Sequence, residues 1–276
     1  MYANGVANVI YTVENSVAVI RLERPEKLNA FTFGMIAEIR AAADLAAGDE
    51  RVVGIIVTGT GRAFSAGLDT GDLARSAAGT AEEVQSGASA FDDSELPALF
   101  GYLLRIPKPV IAAVNGVAAG GGFVLAMMCD LRFAAADASF TTAFSKRGLI
   151  AEHGTSWILP RLVGLNRALD LLWSARRIDA AEAFRIGFVD RVVPADSLIR
   201  EAKAYIDDLA ANVSPRSLAV IKAQIYSHSG LGLEPALRDA DRLMRAALVH
   251  PDATEGVNSF VERRAPRFER FKGGKI

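Results

Sequence analysis

Sulfur and imidazole are scarce in this chain: its 276 residues hold one cysteine, Cys129, and three histidines, at 153, 228 and 250. A lone cysteine excludes an internal disulfide and a zinc site built on cysteines. The three histidines lack metal-ligand spacing, so no metal site is expected. Neither charge is in excess, with 31 Lys and Arg against 32 Asp and Glu and a net charge of −1. That balance excludes binding of nucleic acid or anionic membrane by bulk charge. The first residues, MYANGVANVIYTV, show neither the basic region nor the apolar stretch of a signal peptide. Val110 to Cys129 approaches the length of a membrane span, but Asn115 and the run Gly120-Gly121-Gly122 interrupt it. A soluble, cytoplasmic protein is expected.

Apolar material is plentiful: 51% of the chain is hydrophobic and 23% is charged, which suits one large globular domain or two small ones. Val9–Val13 and Val17–Leu22 read as a hairpin turning at Glu14-Asn15-Ser16. A helix is expected from about Thr32 to Ala47, with Thr32 as its cap and Gly48 just past its end. The apolar runs Val52–Val57 and Val110–Val114 read as buried strands, and Leu131–Ala135 and Gly187–Val193 as further ones. A helix is expected from about Gly122 to Cys129. Residues 70 to 90, rich in Gly, Ser, Ala and Thr, read as a mobile surface segment.

Strand and helix patterns alternate up to about residue 195, which predicts an α/β core. Helical patterns alone follow, at 196–211, 215–226, 233–249 and 252–263, with Asp196 as a cap and Pro215 at a first helical position. The chain therefore divides into a core, residues 1–195, and a C-terminal helical region, residues 196–276. That region packs on the core or on a neighbouring subunit.

Two glycine-bearing turns follow the two best strands. Gly59-Thr60-Gly61 imitates a dinucleotide fingerprint, but Phe64 stands where the third glycine would be needed. Ser65-Ala66-Gly67 imitates half of a nucleophile elbow. Ala63 stands where that elbow wants glycine, and His228 and His250 lie on helical patterns rather than in place as a base. The second turn, ending Gly120-Gly121-Gly122, opens a helix and leaves backbone N–H groups unshielded at its positive end. It reads either as close helix packing or as an oxyanion hole with one donor from each turn.

Several motifs in order carry a resemblance. Arg24-Pro-Glu-Lys-Leu-Asn-Ala30, Gly61-Arg-Ala-Phe-Ser-Ala-Gly-Leu-Asp69, Lys108-Pro-Val-Ile-Ala-Ala-Val-Asn-Gly116 and Gly120-Gly-Gly122 with Met127-Met-Cys-Asp130 resemble motifs of the crotonase family, which contains enoyl-CoA hydratases and isomerases. So do Ile178-Asp-Ala-Ala-Glu-Ala183, Gly187-Phe-Val189 and Ser259-Phe-Val-Glu-Arg263. The resemblance implies a spiral of ββα repeats with a C-terminal helical trimerisation region, in homotrimers or dimers of trimers. It implies acyl-coenzyme A thioesters as substrates, an enolate-like intermediate, and no cofactor beyond the coenzyme A of the substrate.

The resemblance makes the N–H groups of Leu68 and Gly121 the oxyanion donors. It lays coenzyme A along Arg24, Lys27 and Leu28, with Ala66 and Asp69 at the pantetheine end and Arg263 at the phosphates. Hydratases of the family carry two glutamates where this chain has Val124 and Phe144, which become pocket residues without a proton to give. Glu152, in Gly148-Leu-Ile-Ala-Glu-His-Gly154, resembles the single acid of the isomerase branch. The apolar Phe144, Val124 and Leu149 are expected to raise its pKa. His153 reads as a loop residue or as an aid to Glu152, and Trp157 as helix packing. The leading reading is isomerisation of a 3-enoyl to a 2-enoyl thioester with Glu152 as base. Hydration by Glu152 alone, covalent attack by Glu152, and a non-catalytic coenzyme A-binding scaffold stand as alternatives. Residues 70 to 100 are expected to shape the acyl pocket.

Overall fold

A computed structural model describes residues 8–72, 96 and 98–271. Strands β1 (Val9–Glu14) and β2 (Val17–Leu22) form the expected antiparallel hairpin, with Asn15 at φ +53 in its turn. Helix α1 (Phe33–Gly48) follows, and the Thr32 side chain accepts the Met35 N–H at 3.2 Å as its cap. Gly48 is the last helical residue rather than the one beyond it.

Next come β3 (Gly54–Gly59), β4 (Ala63–Ser65), β5 (Val110–Val114), β6 (Val117–Ala119), α2 (Gly121–Met128), β7 (Leu131–Ala135) and β8 (Ser139–Thr141). The rest of the α/β part comprises α3 (Thr155–Val163), α4 (Leu165–Ser174), β9 (Ile178–Asp179), α5 (Ala180–Arg185) and β10 (Arg191–Val193). The strand expected from Gly187 is thus reduced to its last three residues, because Gly187 sits at φ +86 and closes the end of α5 instead.

Among the described residues the strands make two sheets. The larger runs β1-β2-β3-β5-β7-β10, parallel except for the hairpin, and the smaller runs β4-β6-β8-β9. Each of three successive passes, β3 to β4, β5 to β6 and β7 to β8, gives one strand to each sheet in the same order. This is the spiral of repeats. β3 and β5 are buried throughout, packed against the C-terminal helix 198–212 and against β4, with α2 also on β5, and this accounts for their unbroken apolar sequence. Most of residues 70 to 90, and of the 70–100 stretch expected to shape the acyl pocket, lie outside the described residues.

The C-terminal helices are α6 (Leu198–Asn212), α7 (Pro215–His228), α8 (Leu233–Leu248) and α9 (Pro251–Val261). Asp196 does not cap α6; it lies in a short 3-10 turn, and Ser197 occupies the cap position without a side-chain bond to the first-turn N–H groups. α6 buries Leu198, Ala202 and Ile206 against the large sheet. A β-carbon on Gly54 would stand 2.9 Å from the Ile206 side chain, so that glycine makes its seat. α7 is tied down by Lys222, whose Nζ donates to Asp130 Oδ2 at 2.7 Å and to the carbonyls of Leu103 and Lys108. Tyr226 donates to Asp130 Oδ1 at 2.8 Å. α8 buries nothing, and its Leu233, Leu237, Met244 and Leu248 are all exposed.

Candidate active site

The segment after β2 is stitched to the segment after β3 by backbone and amide bonds. Leu28 and Asn29 both adopt left-handed backbone, at φ +51 and +54, which turns the Asn29 side chain into the protein. Asn29 is fully buried; its Oδ1 accepts the Arg24 N–H at 2.9 Å, and its Nδ2 donates to the carbonyls of Thr60 at 2.9 Å and Ala63 at 2.7 Å. Ala66 N–H donates to Leu28 O, Phe31 N–H to Gly67 O, and Asp69 N–H to Phe31 O, at 2.7–2.9 Å. Lys27 and Ala30 are thereby held beside Ala66, Leu68 and Asp69. Ser65 is fully buried and donates to Asn29 O at 2.8 Å, so it is a hinge in this seam and not an accessible nucleophile.

The two glycine turns meet next to this seam. Gly67 has φ +95, and a β-carbon there would lie 2.7 Å from Ala119 O and 3.1 Å from the Gly121 nitrogen. Gly120 has φ +51 and ψ −117, a region essentially reserved for glycine. Gly121 then begins α2, where the first N–H groups have no partner within the helix. Among the described residues no acceptor takes the N–H of Leu68 or of Gly121. A β-carbon on Gly121 would press on the Phe31 ring at 3.3 Å, so its small size serves packing rather than leaving room for a ligand oxygen. The close-packing reading holds at Gly122, which rests against β4, while the Gly121 N–H is left without an acceptor among the described residues.

A cavity of about 390 Å³ opens in front of these donors. Leu68 and Gly121 line it together with Lys27, Ala66, Asp69, Phe144 and Glu152. Two carboxylates share the space in opposite electrostatic states. Asp69 accepts the Gly71 N–H at 3.0 Å and approaches the Arg24 guanidinium at 3.4 Å, and both hold its carboxyl below the usual range. The Glu152 carbonyl accepts the Thr155 N–H at 3.0 Å, but its carboxylate has no hydrogen-bond or charged partner among the described residues, and burial pushes that carboxyl up.

Arg24 spends its guanidinium on Ala30 O at 2.6 Å and on Asp69, pinning its own loop. Arg24 and Leu28 flank the cavity without lining it, and the exposed Arg263, at φ +54 beyond α9, does not line it either. Val124 is fully buried on α2 and does not line the cavity, so of the two positions that carry glutamates in hydratases only Phe144 faces it. Arg147, Leu99 and Ala143 line it without having been singled out from the sequence. Trp157 is 40% exposed, carries the Arg161 guanidinium on its ring, and lines a second cavity of about 630 Å³ beside α7 rather than packing in the core. That larger cavity contains none of the expected site residues.

Residues 12–271 match the family model described as enoyl-CoA hydratase/isomerase. The chain belongs to the enoyl-CoA hydratase/isomerase family. It is 36% identical over 255 residues to a protein of Mycobacterium tuberculosis named a probable enoyl-CoA hydratase, covering 92% of this chain and 95% of that one. It is 35% identical over 260 residues to the 1,2-epoxyphenylacetyl-CoA isomerase of Escherichia coli, covering 94% and 97%. The crystal structure of the enoyl-CoA hydratase from Bacillus anthracis superposes with a TM-score of 0.86 at 29% identity, over 96% of this chain and all of that one. The spiral is therefore the crotonase fold, and this enoyl-CoA hydratase/isomerase family member shares it along nearly its whole length. No helix among the described residues is long and apolar enough to cross a membrane.

Proposed function

We propose that the protein isomerises a 3-enoyl thioester of coenzyme A to the 2-enoyl thioester, with Glu152 as its single acid–base group. The observation that carries this reading is the pairing of one unpartnered, desolvated carboxylate with two open backbone donors in one cavity. Glu152 takes a proton from C2 while the C2–H electrons move into the conjugated system and charge collects on the thioester oxygen. The N–H groups of Leu68 and Gly121 hold that oxygen. The Glu152 proton then passes to C4, the C2–C3 double bond forms, and the carboxylate is restored. Neutral donors suit this step because they stabilise the dienolate without protonating it, and one such donor is typically worth ~10²–10³ in rate.

Coenzyme A is the carrier of the substrate, and no further cofactor is needed. Lys27, Ala66 and Asp69 line the cavity, and the pantetheine would pass along them. Hydration of a 2-enoyl thioester with Glu152 activating water is the second reading, favoured by the hydratase names of several relatives. The test is incubation with each substrate in deuterated water, followed by mass spectrometry. Interconversion of the 3-enoyl and 2-enoyl forms without mass gain from water, falling by roughly 10²–10⁴ in Glu152→Gln, is the expected result. A gain of one water from the 2-enoyl substrate without isomerisation would replace it with the hydratase. Coenzyme A bound with neither reaction would leave a binding protein.

Copies of the chain are proposed to assemble as a trimer or a dimer of trimers through α8 and α9, whose Leu237, Met244, Leu248, Val257 and Phe260 are exposed in a single copy. Exposed apolar area on this scale marks an association surface. Light scattering of the eluting protein should give a multiple of three, and Leu237→Asp should shift it downward.

A further inference from the structure

His153 stands out on the cavity wall. It follows Glu152 directly and lines the same cavity, and its backbone is left-handed at φ +51 although it carries a β-carbon. Strain of this kind persists where a side chain must be aimed, and the neighbouring Gly154 at φ +75 carries the turn onward into α3. The imidazole is half-buried, and no hydrogen bond or ion pair holds it among the described residues. Burial pushes its pKa down, so near neutrality the ring is uncharged, with one nitrogen to donate and one to accept.

Arg147 lines the same cavity. One N–H of its guanidinium goes to the Ala143 carbonyl at 3.1 Å, and no carboxylate pairs with it among the described residues. Ala143 is a second left-handed residue with a β-carbon, at φ +63, on the same wall. Phe144, Leu149 and Leu99 supply the apolar remainder. A plain hydrocarbon acyl group would fill the apolar part and strip water from the imidazole without giving a hydrogen bond back, which is unfavourable.

We propose that His153, supported by Arg147, binds an oxygen atom on the acyl group, so that the preferred substrate is a coenzyme A thioester whose acyl chain carries a hydroxyl, carbonyl or ether oxygen near the carbons on which Glu152 acts. This rests on the reading of the cavity as the acyl-thioester site. Imidazole and guanidinium together match an uncharged oxygen, because the ring supplies either a donor or an acceptor while the guanidinium adds a second donor.

The test uses unreactive ligands, so it does not depend on which reaction the enzyme performs. Dissociation constants are measured by calorimetry for hexanoyl-coenzyme A, its counterpart hydroxylated at C4 or C5, and coenzyme A alone. The wild type is expected to bind the hydroxylated ligand at least tenfold more tightly than the plain one. His153→Gly, which keeps the left-handed backbone at no strain, should reduce that ratio to within about twofold. His153→Asn, which tolerates the same backbone and keeps an amide, should retain part of it. Affinity for coenzyme A alone should be unchanged in both variants. Equal wild-type affinities for the two acyl ligands, or a ratio unaltered in His153→Gly, would overturn the proposal. Loss of isomerisation in Glu152→Gln with the binding preference intact would leave both readings standing, and a preference without any isomerisation would overturn only the first.

Discussion

A β-carbon placed on Gly122 would lie 2.2 Å from the carbonyl oxygen of Ser65. The first turn of α2 thus rests directly on the backbone of β4, and this contact sets where the Gly121 N–H points. Gly122→Ala should force the helix away from the strand, at a cost of roughly 2–3 kcal/mol by comparison with other overpacked sites. Urea unfolding with an unchanged midpoint, together with full activity, would contradict this. Gly148→Ala is the control: φ is +71 there but no atom stands within 4 Å, so only backbone strain of about 1–2 kcal/mol is expected.

Glu152 should cost the protein stability at neutral pH. Its folded-state pKa is raised above the ordinary value near ~4.3, so folding is favoured when the group is protonated. That contribution is complete below the unfolded-state pKa and is lost as pH rises through the higher folded-state value. Glu152→Gln should therefore melt at a higher temperature than the wild type at pH 7.5 and at about the same temperature near pH 4. Catalysis needs the ionised form, so kcat/KM should fall on the acid side at a pH above the normal glutamate range. A melting point lowered by the substitution at pH 7.5 would refute the linkage.

Restoring the two hydratase glutamates should give unequal results. Phe144 faces the cavity, so Phe144→Glu places a carboxylate where water and Glu152 can meet it, and the fold should survive. Val124 is fully buried and does not line the cavity. Val124→Glu should strand an unpaired carboxyl in the core and destabilise by several kcal/mol. Circular dichroism and denaturant midpoints of the two single variants make the comparison, and equal stability would show that α2 can turn to expose position 124.

Asp130 anchors α7 through Lys222 and Tyr226 and also accepts the Val110 N–H at 2.7 Å. Asp130→Ala leaves a buried ammonium without its counter-ion and should cost roughly 3–5 kcal/mol. Adding Lys222→Met to it should recover part of that loss, since the stranded charge is then gone. A double variant less stable than Asp130→Ala alone would argue that the lysine's carbonyl contacts carry the anchor by themselves.

What the sequence revealed depended on length and period. The hairpin, α1 with its Thr32 cap, and the central strands β3, β5 and β7 were all legible, because each is long enough to show alternation or an unbroken apolar run. β4, β6, β8 and β9 were not, since two or three residues establish no period and these strands lie among Gly, Ala and Ser that also suit turns. The second sheet was therefore invisible except through family resemblance. Around the cavity, the motifs that carry the family resemblance picked out Glu152, Leu68 and Gly121, which line it together. They misplaced Val124 because a position on a helix eight residues long says nothing about which side faces a cavity. Arg147 and Ala143 gave no local signal, as left-handed backbone at Ala143 is not written in its residue type.

The donors at Leu68 and Gly121 belong to the main chain, so the feature that would hold substrate oxygen has no side chain of its own to inspect. Replacing Leu68 by another apolar residue leaves the amide where it was, whereas a change at Gly67, Gly120 or Gly122 displaces it without touching the residue that donates. A relative that keeps leucine at the first position can thus have lost the hole, and one that has exchanged it can retain the hole intact. The residues to compare between such chains are the neighbours that hold the peptide planes in place.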